Sequence, residues 1–136
     1  MTHDAFVSYA ARDSRDTLLI CSGLRALGLR LWLDTEEISA SRATWREAVH
    51  TGIAASRTVL VALSPNWAES PACRYELAIA LERRKPLLAM ALPDEPEGRP
   101  SLSGLLPDGV ELIDGGGAIA RTIDLVATRL RRRPQA

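Results

Sequence analysis

The chain has 136 residues and a mass of 14.8 kDa, about the size of one domain. Its 17 basic and 17 acidic residues cancel, which disfavours a dedicated nucleic-acid binder, and a hydrophobic fraction of 46% disfavours disorder. Two cysteines exclude a disulfide framework, and the N-terminus lacks the pattern of a signal peptide. No apolar run is long enough to span a bilayer, so we expect a cytoplasmic protein without a membrane partner.

Apolar strands and amphipathic helices alternate along the chain. In chain order we predict a strand at 5–9, a helix at about 14–27, a strand at 29–33, a helix at about 44–55, a strand at 58–63, a helix at about 71–84, strands at 87–92 and 110–113, and a helix at about 118–132. Residues 34–41 and 93–107 are polar or proline-rich and are predicted as loops. The alternation predicts one three-layer α/β domain over residues 1–132 with a five-stranded parallel sheet, and a tail or linker start at 133–136.

Capping residues and apolar spacing predict where the helices begin and end and which of their faces are buried. Asp13 or Ser14 can cap the first helix, and Gly28 suits its end because glycine adopts the left-handed conformation freely. The predicted inward positions are Leu18, Cys21, Leu24 and Leu27, or the adjacent Leu19 and Ile20, in the first helix; Trp45, Val49 and Ile53 in the second; Leu77 and Leu81 in the third; and Ile119, Ile123, Val126 and Leu130 in the last.

Charge is distributed unevenly. All basic residues but Lys85 are arginines, and an acid-rich stretch at 94–114 is followed by a basic end at 129–133. Such an end could contact nucleic acid or an acidic lipid surface. We favour a solvated helix end whose cations suit the helix dipole, without a direct nucleic-acid partner.

Missing motifs exclude several enzyme classes. The sequence contains neither a phosphate-binding loop with the Gly-x-x-x-x-Gly-Lys pattern nor a Gly-x-Ser-x-Gly nucleophile elbow. No metal site is expected, because His3 and His50 have no partner at the spacing of metal ligands. A dyad of Cys73 and His50 stays open, without support from the local sequence.

Ligands of open α/β sheets bind at the carboxyl ends of the strands, which directs attention to the loops after the first three strands. The helix that follows the third of these loops carries Glu69 and Glu76, and Glu76 lies close to its apolar face. A carboxylate in such a position is either functional or a partner in a buried salt bridge, here with Arg74 or Arg46. The spacing alone does not decide between the two.

Five segments in order carry a resemblance to a known family. They are Asp-Ala-Phe-Val-Ser-Tyr at 4–9, Leu-Trp-Leu-Asp at 31–34, the run with Ile38, Trp45 and Val49, the strand at 59–64, and Ser-Pro-Ala-Cys-Arg-Tyr-Glu-Leu at 70–77. Together they resemble the signature blocks of Toll/interleukin receptor (TIR) domains over residues 4–132. The resemblance implies a flavodoxin-like sheet with strand order 2-1-3-4-5.

TIR domains are either adaptor modules or NAD⁺ hydrolases that cleave the bond between nicotinamide and ribose. The resemblance implies that Glu76, in the Cys-x-x-Glu motif, is the catalytic residue. The composition, rich in arginine, alanine and leucine, resembles bacterial members and favours the enzyme, with the adaptor as the alternative. NAD⁺ is then a substrate and no cofactor is needed. The implied substrate-binding residues are Tyr9, Ala10, Arg12, Glu36 and Trp45. Arg12 could pair with the diphosphate, or it could be a surface arginine beside Asp13.

Two positions depart from the family pattern. Ala72 stands where the family often has a tryptophan, which removes a stacking surface for a base; Trp67 and Trp45 are candidate replacements. Residues 39–41 read Ser-Ala-Ser in a loop where the family usually has a glycine and which commonly mediates assembly.

The resemblance also implies partners. The site of TIR hydrolases is typically completed when neighbouring domains stack, so we expect self-association. The start at Met1 and the arginine-rich end suggest an effector followed by a C-terminal sensor module, in bacterial defence or signalling. Whether the product is linear or cyclic ADP-ribose is left open.

Overall fold

The computed structural model describes residues 1–33, 42–93 and 104–132, with side chains of the second range from residue 45 onward. The strands are β1 His3–Ser8, β2 Leu31–Leu33, β3 Ser56–Leu63, β4 Leu87–Ala91 and β5 Glu111–Ile113. The helices are α1 Ser14–Ala26, α2 Arg42–Ala55, α3 Pro65–Glu69, α4 Pro71–Glu82 and α5 Ile119–Arg132. In the part of the chain that the structure describes, none of these helices is long and apolar enough to cross a bilayer.

Every predicted strand and helix is present, with bounds that shift by a few residues. The short helix α3 was not predicted, because Ser64 and Pro65 were interpreted only as a break after the third strand. The same two residues start a helix: the Ser64 hydroxyl accepts a hydrogen bond from the backbone N–H of Trp67, and Pro65 occupies the first turn. The predicted tail at 133–136 and the loop at 34–41 lie outside the described residues.

The five strands form one parallel sheet in the order β2-β1-β3-β4-β5, which confirms the predicted fold. β3 lies at the centre, where Leu60 pairs with Val7 of β1 on one side and with Leu88 of β4 on the other. A strand paired on both sides and covered on both faces needs apolar residues throughout, which explains the unbroken apolar run of β3.

Side chains alternate between two apolar layers, one on each face of the sheet. α1 and α5 cover the first layer, which contains the buried side chains of Ala5, Val7, Ile20, Leu24, Leu60, Leu88, Met90, Val126 and Leu130. α2, α3 and α4 cover the second, which contains Phe6, Val49, Ile53, Val59, Val61, Trp67, Cys73, Ile79 and Ala80. The alternation places Ser8 on the same face as Phe6, toward α4.

The predicted inward faces of α1 and α4 were partly wrong. In α1 the buried positions are Thr17, Ile20, Cys21 and Leu24, so the leucines at 18, 19 and 27 are exposed. In α4 the buried positions are Cys73, Glu76, Ile79 and Ala80, so Leu81 is exposed. Both helices have apolar residues over more than one face, and the geometry of docking on the sheet selects which face is buried.

Two glycines shape the ends and the contacts of α1. Gly28 has a φ of 91°, a left-handed conformation that ends the helix as predicted. A Cβ at Gly23 would overlap with Cδ1 of Ile123, so the absence of a side chain there allows α1 and α5 to pack closely.

The amino edge of the sheet is braced by a buried carboxylate. Asp4 of β1 accepts hydrogen bonds from the backbone N–H of Arg30 at 2.7 Å and from Nη2 of Arg57 at 2.6 Å. Asp4 thereby joins the starts of three neighbouring strands. Desolvation acts to raise the pKa of Asp4, but the hydrogen bond from the Arg30 backbone and the Arg57 guanidinium outweigh it and hold the pKa below its ordinary value.

We expect acid to destabilise the domain partly through Asp4. Because its pKa is lowered on folding, the stabilisation is present above the pKa of the unfolded chain and is lost as pH falls through the folded value. Asp4→Asn should lower the free energy of unfolding by about 1–3 kcal/mol at pH 7 and reduce its further loss in acid. Denaturant titrations from pH 7 to pH 3 measure both effects. Asp108→Asn, at an exposed site, is the control; an acid response as steep in Asp4→Asn as in the wild type would contradict this account.

Candidate functional site

A cleft opens at the carboxyl edge of the sheet, between the loop after β1 and the helices that follow β3. Its volume is about 280 Å³, at the small end of ligand pockets. Six residues line it: Ala10, Ala11, Arg12, Asn66, Glu69 and Ser70. The position agrees with the general rule for ligand sites of open α/β sheets.

Asp13 holds the two walls of the cleft together. Its carboxylate accepts hydrogen bonds from the Ser64 hydroxyl and from Nδ2 of Asn66, the latter at 2.9 Å. Asp13 occupies the cap position of α1 as predicted, but its side chain forms no capping hydrogen bond there. The carboxylate instead links the β1 loop to the corner between β3 and α3.

The start of α4 is equally well defined. The Ser70 hydroxyl accepts a hydrogen bond from the backbone N–H of Cys73 at 3.2 Å, and Pro71 occupies the first turn. The helix then buries the face with Cys73 and Glu76 against the sheet. Because Ser70 also lines the cleft, α4 connects the cleft wall directly to Glu76.

The Glu76 carboxylate is buried between α4 and β1. Its residue is 1% exposed, and Oε1 accepts a hydrogen bond from the Ser8 hydroxyl at 2.7 Å. The Ser8 oxygen in turn accepts the indole N–H of Trp67 at 3.0 Å. A serine hydroxyl has one proton, so these two bonds orient it toward the carboxylate. The partner seen at Oε1 is therefore a hydroxyl, whereas an arginine had been the structural alternative.

The two arginines of that alternative have other contacts. Nε of Arg74 donates a hydrogen bond to the backbone carbonyl of Ala68 at 2.9 Å. The guanidinium of Arg46 lies 5.6 Å from the centre of the Tyr75 ring, in a cation–π geometry.

The predicted substrate-binding residues lie in different surroundings. Ala10 and Arg12 line the cleft, Arg12 with an exposed side chain. Tyr9 is 8% exposed and packs in the layer under α1 and α5. Glu36 lies outside the described residues. The ring of Trp45 lies 5.5 Å from that of Tyr75, between α2 and α4.

Two further candidates are also located. Trp67, a possible stacking surface, is 1% exposed and belongs to the core. His50 and Cys73 had been considered as a dyad; Nε2 of His50 lies 2.8 Å from the Tyr75 hydroxyl, and Cys73 is buried. Within the described ranges, no group of three or more His, Cys, Asp or Glu side chains could hold a metal ion.

The sequence analysis assigned no role to Ser8 or Ser70, and it placed Glu69 at this edge of the sheet without a specific role. Ser8 is a polar residue that ends an apolar strand in phase with Phe6, which was a signal for a buried hydrogen bond toward the helices on that face. Ser70 precedes Pro71 at a helix start, which is a capping pattern. The structure shows that Glu69 ends α3 and lines the cleft.

The profile of the TIR domain matches residues 5–125, nearly the whole described chain. The chain belongs to the TIR family. Solved structures share the fold of this TIR domain. The TIR domain of the Toll-related receptor TRR-2 from Hydra magnipapillata has a TM-score of 0.75 at 16% identity, over 96% of this chain and 100% of that one.

Two further solved structures share the fold at lower TM-scores. A metazoan TIR-STING receptor from C. gigas has a TM-score of 0.66 at 19% identity over 98% of this TIR domain, which spans only 41% of that receptor. The CMP N-glycosidase BcmB of Clostridium botulinum has a TM-score of 0.59 at 12% identity, over 92% of this chain and 98% of that one. No curated protein matches the sequence significantly.

We expect Ser8→Ala to destabilise this TIR domain. The change removes the hydroxyl donor to the Glu76 carboxylate and leaves the indole N–H of Trp67 without its acceptor. Buried polar groups that lose a partner cost about 1–3 kcal/mol of unfolding free energy, which chemical denaturation measures. The control Ser22→Ala, at an exposed position of α1, should change stability by less than about 0.5 kcal/mol. Equal stability of the two variants would show that the bond to Glu76 is dispensable.

Proposed function

We propose that this TIR domain is a NAD⁺ nucleosidase in which the Glu76 carboxylate stabilises the reacting ribose. The observation that carries the proposal is the buried carboxylate of Glu76, bound to Ser8 at the carboxyl end of a central strand and joined through α4 to a cleft that presents Arg12. A desolvated carboxylate at a ligand-binding edge is an arrangement suited to catalysis.

The chemistry needs few groups. The bond between C1′ of the ribose and the nicotinamide nitrogen breaks, and its electron pair neutralises the cationic ring, so nicotinamide leaves without protonation. The ribose develops an oxocarbenium-like positive charge, as in glycoside cleavage. A carboxylate beside it stabilises this charge and can accept hydrogen bonds from the ribose hydroxyls. Water then adds to C1′ and releases a proton, giving ADP-ribose; attack from within the same molecule gives a cyclic isomer.

Access to Glu76 connects the proposal to assembly. At 1% exposure the carboxylate cannot touch a substrate in the single domain, so a rearrangement around Ser8 must accompany catalysis. Association with other TIR domains is the event that we assign to this step. A sensor module elsewhere in a longer protein would control it, as the TIR-STING receptor shows that a TIR domain can form part of a larger receptor.

The fold is compatible with this chemistry. The Clostridium botulinum structure is named as a CMP N-glycosidase, and it shares the fold of this chain at a TM-score of 0.59. At 12% identity the likeness concerns the fold, so the residues of this chain must carry the argument for its own activity.

The alternative function is a non-catalytic module that binds other TIR domains. One specific observation favours it: the hydrogen bond to Ser8 already gives the buried Glu76 a structural role. Ala72, one turn before Glu76, is exposed and offers no aromatic surface to a base. Activity toward NAD⁺ separates the two functions.

Glu76→Gln should abolish NAD⁺ cleavage and leave the fold intact. The amide keeps the volume and can still accept the Ser8 hydrogen bond, but it lacks the negative charge that stabilises the oxocarbenium ion. We expect a loss of about 10²-fold or more in turnover, measured by nicotinamide release from concentrated protein, with circular dichroism to monitor the fold. Glu82→Gln, at the exposed end of the same helix, is the matched control and should retain activity.

Two outcomes would change the assignment. Wild-type protein that leaves NAD⁺ intact at every concentration, with and without a crowding agent, would support the adaptor function. Cleavage retained in Glu76→Gln would keep the enzyme but move the catalytic carboxylate, with Glu36 the next candidate.

Turnover per molecule should rise steeply with protein concentration. The physical reason is that the buried Glu76 becomes accessible only in the assembled state, whose population grows with concentration. Nicotinamide release is measured from dilute to concentrated solution, with and without a crowding agent, beside light scattering to follow assembly. A constant turnover over that range would indicate a monomer with a self-contained site.

A further inference from the structure

The cleft contains two charged side chains of opposite sign that remain available for a ligand. Arg12 and Glu69 are exposed and line the cleft. Within the described ranges neither forms an ion pair with another residue. A solvated cation and anion on the walls of one cleft suit a ligand that carries both a phosphate and hydroxyl donors.

Two other carboxylates near the cleft, those of Asp13 and Glu76, are already engaged. Both oxygens of Asp13 accept hydrogen bonds, from Ser64 and Asn66. The Glu76 carboxylate is buried under Ser8. Of these three carboxylates, Glu69 is therefore the one that is exposed and lines the cleft.

We propose that Glu69 is a specificity-determining residue that binds the hydroxyls of the adenosine ribose and rejects a substrate phosphorylated at the 2′ position, while Arg12 contacts the diphosphate. The identity of the dinucleotide rests on the proposed function. A carboxylate can accept hydrogen bonds from two vicinal hydroxyls, which is how dinucleotide-binding folds recognise an unphosphorylated ribose. A 2′-phosphate at the same place would bring about two further negative charges next to Glu69.

The length of α4 and the size of the cleft agree with a reacting ribose at Glu76 and an adenosine ribose at Glu69. From Pro71, the first residue of α4, to Glu76 the helix rises by about 7.5 Å, and Ser70 and Glu69 precede Pro71. Two riboses joined by a diphosphate are separated by a comparable span, so the reacting ribose and the adenosine ribose would lie at the two ends. A cleft of about 280 Å³ accommodates one nucleotide half of such a molecule.

Ser70 and Asn66 offer further polar atoms to a ligand in the cleft. The Ser70 oxygen accepts the N–H of Cys73, so its own proton is free to donate to a ligand oxygen. Asn66 uses one N–H for Asp13 and retains a second N–H and its carbonyl oxygen. Both side chains are held by these bonds, so little conformational freedom is lost when a ligand binds.

Binding of two stable probes tests the proposal without catalysis. ADP-ribose and its 2′-phosphate are titrated into the concentrated wild-type chain by calorimetry. We expect ADP-ribose to bind at least about tenfold more tightly, which corresponds to about 1.4 kcal/mol. Glu69→Gln should bring the two dissociation constants to within about threefold of each other. Glu82→Gln is the control and should keep the wild-type ratio, and Arg12→Gln should weaken both probes alike.

Several results would overturn the proposal. They are equal affinity of the wild type for the two probes, an unchanged ratio in Glu69→Gln, an equally altered ratio in Glu82→Gln, and no saturable binding of ADP-ribose at millimolar concentration. Failure of the proposed function gives a different result: discrimination between the probes without NAD⁺ cleavage would leave the role of Glu69 standing and remove that of Glu76. Cleavage of NAD⁺ without discrimination between the probes would leave the role of Glu76 standing and remove that of Glu69.

Discussion

Burying a carboxylate between a sheet and a helix costs free energy unless hydrogen bonds replace its water, and this requirement at Glu76 organises the carboxyl edge of the domain. Ser8 supplies a hydroxyl, and the indole of Trp67 orients it. The backbone of Trp67 is bound to the Ser64 hydroxyl, which in turn donates to Asp13. One continuous set of hydrogen bonds thus runs from the buried carboxylate to the loop that forms a wall of the cleft.

The two edges of the sheet use carboxylates for different purposes. At the amino edge, Asp4 forms an ion pair with Arg57 and accepts a hydrogen bond from the backbone N–H of Arg30, and it ties three strands together. At the carboxyl edge, the partner seen at Oε1 of Glu76 is the Ser8 hydroxyl, which carries no charge. A carboxylate held in this way keeps its capacity to stabilise a positive charge that develops nearby, which is the property that the proposed reaction needs.

Much of the fold could be predicted because it depends on local patterns. The unbroken apolar run of β3 indicated a central strand, and Gly28 marked the end of α1. The inward faces of α1 and α4 could not be derived in the same way, since both helices carry leucines on more than one face. Leu18 and Leu81 are exposed because the angle at which each helix docks on the sheet, a property of the whole fold, selects the buried face.

The sequence by itself determined the alternating α/β architecture, the strand order through its family resemblance, and the candidacy of Glu76. Periodicity and motif spacing are encoded in neighbouring residues and need no tertiary information. Only the tertiary structure decided that Ser8 is the partner seen at Oε1 of Glu76 and that Arg12 and Glu69 share a cleft. These pairs are separated by more than fifty residues in the chain, and they meet because parallel strands bring their carboxyl ends to one edge of the sheet.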